Sequence, residues 1–286
     1  MRGLLAVLVF LFFGLTFPIA VFTYAVTTVV NPSYVKSQLG NSEIYEVAAD
    51  QIPNLIDREE EHDEKRVKDP TEEKFKKIIL QEVDGKYLQS KVEPFVDDTF
   101  SWLARERQEP PQISFADLAE RAEKLVKQPL PTDIEKTLSE PFKLEPDNAN
   151  AIKDWYRWFT LTPLIFGIIS VLLLVGLFLL VKGWRSRLRR VALAIFLPTF
   201  FGFLGVGVGL FLGRILSGIA SGLVADSRLP DLQVPVEEIV VSISEDITRT
   251  LLIIYAVALV VAIILFISSF FVDRESRLSK EAVDKK

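Results

Sequence analysis

Cysteine is absent from this chain of 286 residues, which excludes disulfide bonds, thiolate metal sites and a cysteine nucleophile. The chain also lacks the His-Glu-x-x-His, Gly-x-Ser-x-Gly and phosphate-binding glycine-rich motifs, and no stretch has the spacing of an EF-hand loop. Zinc hydrolysis and Ser-His catalysis are therefore excluded. We predict no catalytic residue, no cofactor and no metal site.

An excess of basic residues is missing too, because the formal net charge is −5 at pH 7. A protein that contacts nucleic-acid phosphates is expected to present a basic face, so we predict no nucleic-acid partner. The acidic residues leave one catalytic alternative open, in which two carboxylates of an outer domain perform acid and base chemistry. No sequence feature selects such a pair, and we predict that the protein is not an enzyme.

Charged residues are missing from four long windows, although they make up 25% of the chain. These windows are residues 4–30, 159–181, 191–213 and 250–272. The shorter windows have 23 residues, and a helix of that length extends about 35 Å, enough to cross a hydrocarbon core of about 30 Å. We therefore predict an all-α membrane protein with four transmembrane helices.

Basic residues are concentrated near one end of each predicted span. The N-terminus, the link between spans two and three and the C-terminal tail together hold 11 basic and four acidic residues. The basic residues of the link are Lys182, Arg185, Arg187, Arg189 and Arg190. Since positively charged flanks stay in the cytoplasm, we predict a multi-pass protein of the cell membrane with a cytoplasmic N-terminus and a cytoplasmic C-terminus.

This orientation divides the chain into eight segments. The predicted transmembrane helices are 1–30, 158–182, 191–216 and 250–272; the cytoplasmic segments are the basic loop 183–190 and the tail 273–286; the extracytoplasmic segments are 31–157 and 217–249. The larger extracytoplasmic segment has 28 acidic and 19 basic residues, and the smaller one has six and two. A cleaved signal peptide is the alternative for residues 1–30, although their apolar run exceeds the usual length and no Ala-x-Ala site precedes Asn31.

Helix signals predict that the extracytoplasmic domain 31–157, inserted between spans one and two, is mostly helical. Asn31 followed by Pro32 is a helix start. Two further starts resemble capping boxes, namely Ser114-x-x-Asp117 and Thr132-x-x-Glu135. Several short helices are therefore expected in this domain.

Residues 57–70 contain a single aliphatic residue and cannot support a core. We predict a solvated acidic hinge there. The only histidine of the chain, His62, lies within this stretch and is flanked by acidic residues, so loose cation binding is the alternative.

Aromatic residues border span two. Trp155, Tyr156 and Trp158 precede it and Trp184 follows it, as expected of an aromatic belt at the level of the lipid headgroups. After Asn148 no turn signal precedes the membrane, so we predict that the helix with Trp155 and Trp158 continues into span two.

An apolar stripe at helical spacing precedes span four, formed by Val236, Ile239, Val240, Ile243 and Ile247. We expect this stripe to pack against the larger extracytoplasmic domain. A position on the bilayer surface is the alternative, which the acidic residues of the opposite face disfavour.

Small residues recur every four positions in span three, at Gly205, Gly209, Gly213 and Ser217. This spacing places them on one face of the helix, where close backbone approach is a main source of packing energy in lipid. We predict helix packing through this face, within the bundle of four helices or, as the alternative, in a homo-oligomer. Gly202 and Gly207 fall off this face.

The extracytoplasmic domain is much longer than the cytoplasmic segments, which are too short to fold as domains. We therefore predict a non-enzymatic envelope protein, anchored in the lipid bilayer, whose outer helical domain binds a partner. That partner is an unidentified extracytoplasmic protein or a cell-wall component. A transporter or channel subunit is the alternative, favoured by the glycine-rich third span and opposed by the lack of an ionisable residue in mid-membrane.

Overall fold

The computed structural model of this chain describes residues 2–51, 77–78, 81–127, 129, 138–144, 146, 149–225 and 233–284, without the side chains of residues 2, 126, 208–225, 233 and 273–284. Two predictions, the acidic hinge at 57–70 and the capping box Thr132-x-x-Glu135, lie outside the described residues. His62 belongs to the first of these segments.

Helices make up nearly all of the described chain. In order, the elements are α1 (Arg2–Val29), α2 (Pro32–Asn41), α3 (Gly85–Leu103), β1 (Gln112–Ile113), α4 (Ala116–Val126), β2 (Phe142–Lys143), α5 (Ala149–Leu180), α6 (Trp184–Ala225) and α7 (Gln233–Asp284). Residues 44–51 are also helical. The strands β1 and β2 pair antiparallel, with Gln112 opposite Lys143 and Ile113 opposite Phe142.

Four helices contain stretches long and apolar enough to cross a membrane. These stretches are Gly3–Val29 in α1, Ala149–Leu180 in α5, Trp184–Gly207 in α6 and Val234–Val272 in α7. The predictions of a helical protein and of four apolar helices that can span a membrane are confirmed.

Three of these helices, α5, α6 and α7, extend well beyond the charge-free windows. Trp155 and Trp158 lie in the same helix as span two, α5, so the predicted continuation after Asn148 is confirmed. The apolar stripe at 236–247 is likewise part of α7, the helix of span four. Ile247 packs beside the buried residues Leu251 and Tyr255.

The predicted helix start at Asn31 is confirmed by the first turn of α2. Asn31 has extended backbone angles and its side-chain oxygen accepts a hydrogen bond from the backbone N–H of Tyr34 at 2.9 Å. Pro32 follows as the first helical residue, where its missing N–H costs nothing. Asp84 caps α3 in the same way, by accepting from the N–H of Tyr87 at 2.7 Å.

The chain divides into two compact units. The first, hereafter the membrane unit, comprises Met1–Val29, Trp158–Gly213 and Ser244–Lys286. The second, hereafter the helical unit, comprises Val30–Arg157 and Arg214–Ile243.

Small side chains form much of the interior of the membrane unit: Ala6, Ala25, Ala192, Ala194 and Ala262 are buried. Large apolar side chains are exposed on its outside, among them Leu4, Phe12, Leu172 and Ile264. Because lipid tails are as apolar as leucine, helices in a bilayer gain stability from close approach rather than from burying large residues. This distribution is the one expected of helices packed in lipid.

Buried side chains from all four long helices meet in the membrane unit. One group contains Phe13 of α1, Leu177 of α5, Ile195 of α6 and Ala262 of α7. A buried hydroxyl pair also joins α1 to α5, because the Ser170 hydroxyl donates to that of Thr16 at 3.0 Å. Such a bond satisfies two polar groups that water does not reach and so ties the helices together.

The core of the helical unit is built where α3 and α4 meet. Tyr87 of α3 packs with Leu118, Ala119 and Ala122 of α4, and all four are buried. Trp102, near the end of α3, is 3% exposed. Lys153 lies over its indole ring, with the ammonium nitrogen 4.2 Å from the ring centroid.

The prediction of a capping box at Ser114 is wrong. Helix α4 begins one residue later than that motif requires, with Phe115 at the N-cap position and no side-chain cap. The Ser114 hydroxyl instead accepts from the N–H of Ala116 at 3.3 Å. Oδ1 of Asp117 accepts hydrogen bonds from two side chains of α3.

Candidate functional site

The polar cluster between α3 and α4 is the first candidate for chemistry. The ammonium of Lys91 donates to Oδ1 of Asp117 at 2.6 Å, and the Tyr87 hydroxyl donates to the same oxygen at 3.2 Å. Two cations also lie beside the Tyr87 ring. The ammonium nitrogen of Lys91 is 5.5 Å from the ring centroid, and the central guanidinium carbon of Arg121 is 5.9 Å from it. The cluster therefore joins the two helices through one shared carboxylate oxygen.

At neutral pH Tyr87 is neutral and Asp117 is ionised. Burial raises the pKa of the Tyr87 phenol well above its usual value, and the negative charge of Asp117 raises it further. Burial also acts to raise the pKa of Asp117, but the hydrogen bond and charge of Lys91, with the bond from Tyr87, outweigh it and hold that pKa below its usual value. A general acid or base works best with a pKa near the operating pH. The cluster is thus suited to holding α3 and α4 together rather than to proton transfer.

Metal binding has no support in the described part of the chain. Among the described residues, no three histidine, aspartate or glutamate side chains lie close enough together to hold an ion.

The predicted small-residue face of span three lies in α6. A β-carbon built at Gly205 would meet no atom of the described residues within 4 Å, so none of them packs closely against that position. Gly209, Gly213 and Ser217 are helical, but their side-chain surroundings lie outside what the structure describes. Packing through this face, within the chain or in a homo-oligomer, stays a prediction.

Among the glycines of α6 whose surroundings the structure describes, Gly202 is the one that packs closely, and the four-residue spacing left it out. A β-carbon at Gly202 would overlap the ring of Tyr255 in α7. Tyr255 is buried, and its ring also contacts Phe17 and Phe203 at centroid distances of 6.4 and 6.0 Å. The four-residue spacing favoured Gly205 over Gly202, because it carries no information on where a distant aromatic ring lies.

Three of the four predicted interface aromatics are exposed. The indoles of Trp155, Trp158 and Trp184 all present more than half of their surface. Tyr156 differs from them, since its ring meets that of Phe100 edge-on at a centroid distance of 6.1 Å and belongs to the packing of the helical unit. The headgroup level of the three tryptophans remains a prediction.

The five basic residues of the predicted link occupy different environments. Lys182 lies between α5 and α6, and the four arginines lie in the first turns of α6. Lys182 and Arg190 are exposed, whereas Arg185, Arg187 and Arg189 are partly buried. Arg189 is attached to α7, where its Nε donates to the hydroxyl of Ser269 at 3.3 Å and its guanidinium lies 4.7 Å from the centroid of Phe270. Arg187 instead bonds to the carbonyl of Val181, the residue after α5, and lies beside the ring of Phe178 in α5.

An apolar groove of about 650 Å³ lies within the membrane unit between α1 and α6. Its lining includes a glycine and a proline from each helix, Gly14 and Pro18 from α1 and Pro198 and Gly202 from α6. Phenylalanine, leucine and alanine side chains complete it, so every side chain that lines the groove is apolar.

An exposed apolar pair lies on the strand ribbon of the helical unit. Phe142 is 62% exposed, and Leu144, two residues later, is also exposed. Pairing with β1 holds them in place, and the N–H of Leu144 donates to the carbonyl of Pro111 at 3.0 Å. Alternate residues of a strand point to the same side, so the two side chains form one surface, hereafter the ribbon patch.

Comparison with known proteins assigns this chain to no family. No protein-family model, curated protein or solved structure matches this chain.

Proposed function

We propose that this chain is a non-enzymatic multi-pass protein of the cell membrane whose helical unit binds a partner outside the cytoplasm. The observation that carries the proposal is the ribbon patch of Phe142 and Leu144, two apolar side chains held in fixed positions and left exposed. Exposed apolar groups on a rigid element are typical of surfaces that bind another molecule. The four apolar helices supply the anchor.

The partner in this proposal is an extracytoplasmic protein or a cell-wall component with an apolar surface. Segment 31–157 has 28 acidic and 19 basic residues, so basic groups around that apolar surface would complement it.

We expect the double substitution Phe142→Ser with Leu144→Ser to reduce chemical crosslinking to the partner in native membranes about tenfold, the loss typical of removing an apolar anchor. Leu125→Ser is the matched control, because Leu125 is an exposed leucine of the same unit at 57% exposure. Its crosslinking yield is expected to equal that of the unsubstituted chain. An equal loss of crosslinking yield in both variants would contradict the proposal that the ribbon patch binds the partner specifically.

The location outside the cytoplasm is proposed from the basic residues of the link and the tail. Since the chain has no cysteine, a single introduced cysteine reports one position. We expect Ser90→Cys, at an exposed site of α3, to react with an impermeant maleimide in intact cells, and Ser186→Cys to react only after permeabilisation. The opposite pattern would invert the orientation.

A transporter or channel subunit is the second candidate, and the groove between α1 and α6 favours it. Pro18 and Pro198 interrupt the hydrogen bonding of the two helices that form the groove, which permits bending there. The apolar lining of the groove suits an apolar solute rather than an ion. Solute flux into liposomes with the purified protein, absent from protein-free liposomes, would favour this candidate over partner binding.

A further inference from the structure

The turn between α5 and α6 holds one arginine in a fixed position. Gly183 adopts a φ of 83°, a left-handed conformation that reverses the chain after α5. Arg187, in the first turn of α6, donates from Nε to the carbonyl of Val181 at 2.7 Å. Its guanidinium is therefore anchored to the residue that follows α5, while the terminal nitrogens carry four further N–H donors.

Two aromatic rings support this guanidinium. Its central carbon lies 5.2 Å from the ring centroid of Phe178 and 5.8 Å from that of Trp184. The two rings meet edge-on at 5.3 Å, so they form a continuous wall beside the cation. Cation–π contact of this kind fixes the plane of the guanidinium and limits the access of water to it.

A second arginine lies on the same side of α6. Arg190 is three residues after Arg187, a spacing that brings side chains together on a helix, and like charges so placed destabilise it. Among the described side chains, no carboxylate pairs with Arg187 or Arg190. An anion between them would offset the repulsion.

We propose that Arg187 and Arg190, with Trp184 beside them, bind the phosphate of an anionic lipid headgroup at the α5–α6 turn. The turn joins two helices that can cross a membrane, so it lies at the depth where headgroups are found. A fixed guanidinium matches phosphate oxygens through two parallel hydrogen bonds. Basic sites beside transmembrane helices are known to recognise anionic headgroups.

Lipid binding at this turn differs from the orienting effect of the link. Orientation requires only positive charge near the end of a span, at any position. Lipid binding requires the held guanidinium, and this requirement separates Arg187 from the exposed Lys182.

The test measures binding of phosphatidylglycerol to the purified full chain in phosphatidylcholine nanodiscs, by native mass spectrometry after titration. We expect Arg187→Gln to weaken this binding about tenfold, as expected for the loss of a charge-assisted hydrogen bond, and Lys182→Gln to weaken it less than about twofold. Equal weakening by the two variants would overturn the proposal, because the effect would then be one of net charge.

Two further measurements keep the result interpretable. Should Arg187→Gln fail to fold, Arg190→Gln, an exposed residue, replaces it and is again expected to weaken binding several-fold more than Lys182→Gln does. Inorganic phosphate at millimolar concentration is not expected to displace the lipid. Displacement would identify free phosphate as the ligand and would overturn the lipid assignment.

Discussion

Trp102→Ala is expected to lower the free energy of unfolding of the helical unit by about 3 to 5 kcal/mol, the range found when a buried aromatic side chain is removed. Trp102 is 3% exposed, so the substitution leaves a cavity that its neighbours fill only in part. It also removes the aromatic surface under Lys153, whose ammonium lies 4.2 Å from the ring centroid.

Hydrogen–deuterium exchange of the full chain in detergent measures this effect locally. We expect the amides of α3 (Gly85–Leu103) to lose most of their protection in the Trp102→Ala variant. Phe142→Ala is the control, since it removes an aromatic ring that is 62% exposed. Loss of protection as large in the control as in Trp102→Ala would show that Trp102 does not organise the core of the unit.

Gly202→Leu is expected to destabilise the membrane unit by about 1 to 3 kcal/mol or more, the cost of forcing volume into a packed site. The added side chain would overlap the ring of Tyr255. That ring cannot move aside easily, because it is buried among Val21, Val206 and Leu251. The predicted readout is a lower melting temperature of the purified protein in detergent.

Gly205→Leu is the matched control, one turn along the same helix. A β-carbon at Gly205 meets no atom within 4 Å, so the melting temperature of the isolated chain is expected to change little. Replacing Tyr255 by leucine should make Gly202→Ala less costly, as expected when two substitutions share one contact. Equal destabilisation by Gly202→Leu and Gly205→Leu would refute the assignment of close packing to Gly202.

The Gly205 variant also tests assembly. If the small-residue face of Gly205, Gly209, Gly213 and Ser217 packs against a second copy of the chain, Gly205→Leu should dissociate an oligomer on native gels while the monomer keeps its stability. If Gly205→Leu changes neither the oligomer on native gels nor the stability of the monomer, the small-residue face has no packing partner.

Features that depend on local properties could be predicted from the residues alone. The four apolar helices follow from charge-free windows, because transferring a charge into hydrocarbon is costly wherever the rest of the chain lies. The start of α2 at Asn31 and Pro32 follows from the hydrogen-bonding needs of a first helical turn. The continuity of α5 follows in the same way, since no residue between Ala149 and span two interrupts a helix.

Features that depend on distant neighbours could not be predicted from the residues alone. Ser114 and Asp117 had the spacing of a capping box, but a stronger interaction with Lys91 and Tyr87, 26 and 30 residues away, takes the carboxylate. The ribbon patch exists only because Phe142 pairs with Ile113. No local sequence signal predicts that pairing.

The glycines of α6 show which properties can be predicted from the sequence and which depend on tertiary packing. The sequence by itself determined that this helix is apolar, long enough to span a membrane and rich in small residues, because these are properties of composition and spacing. Only the tertiary structure decided that Gly202, and not Gly205, meets the ring of Tyr255. The physical reason is that close packing is a property of two surfaces, and the second surface belongs to a helix about 50 residues further along the chain.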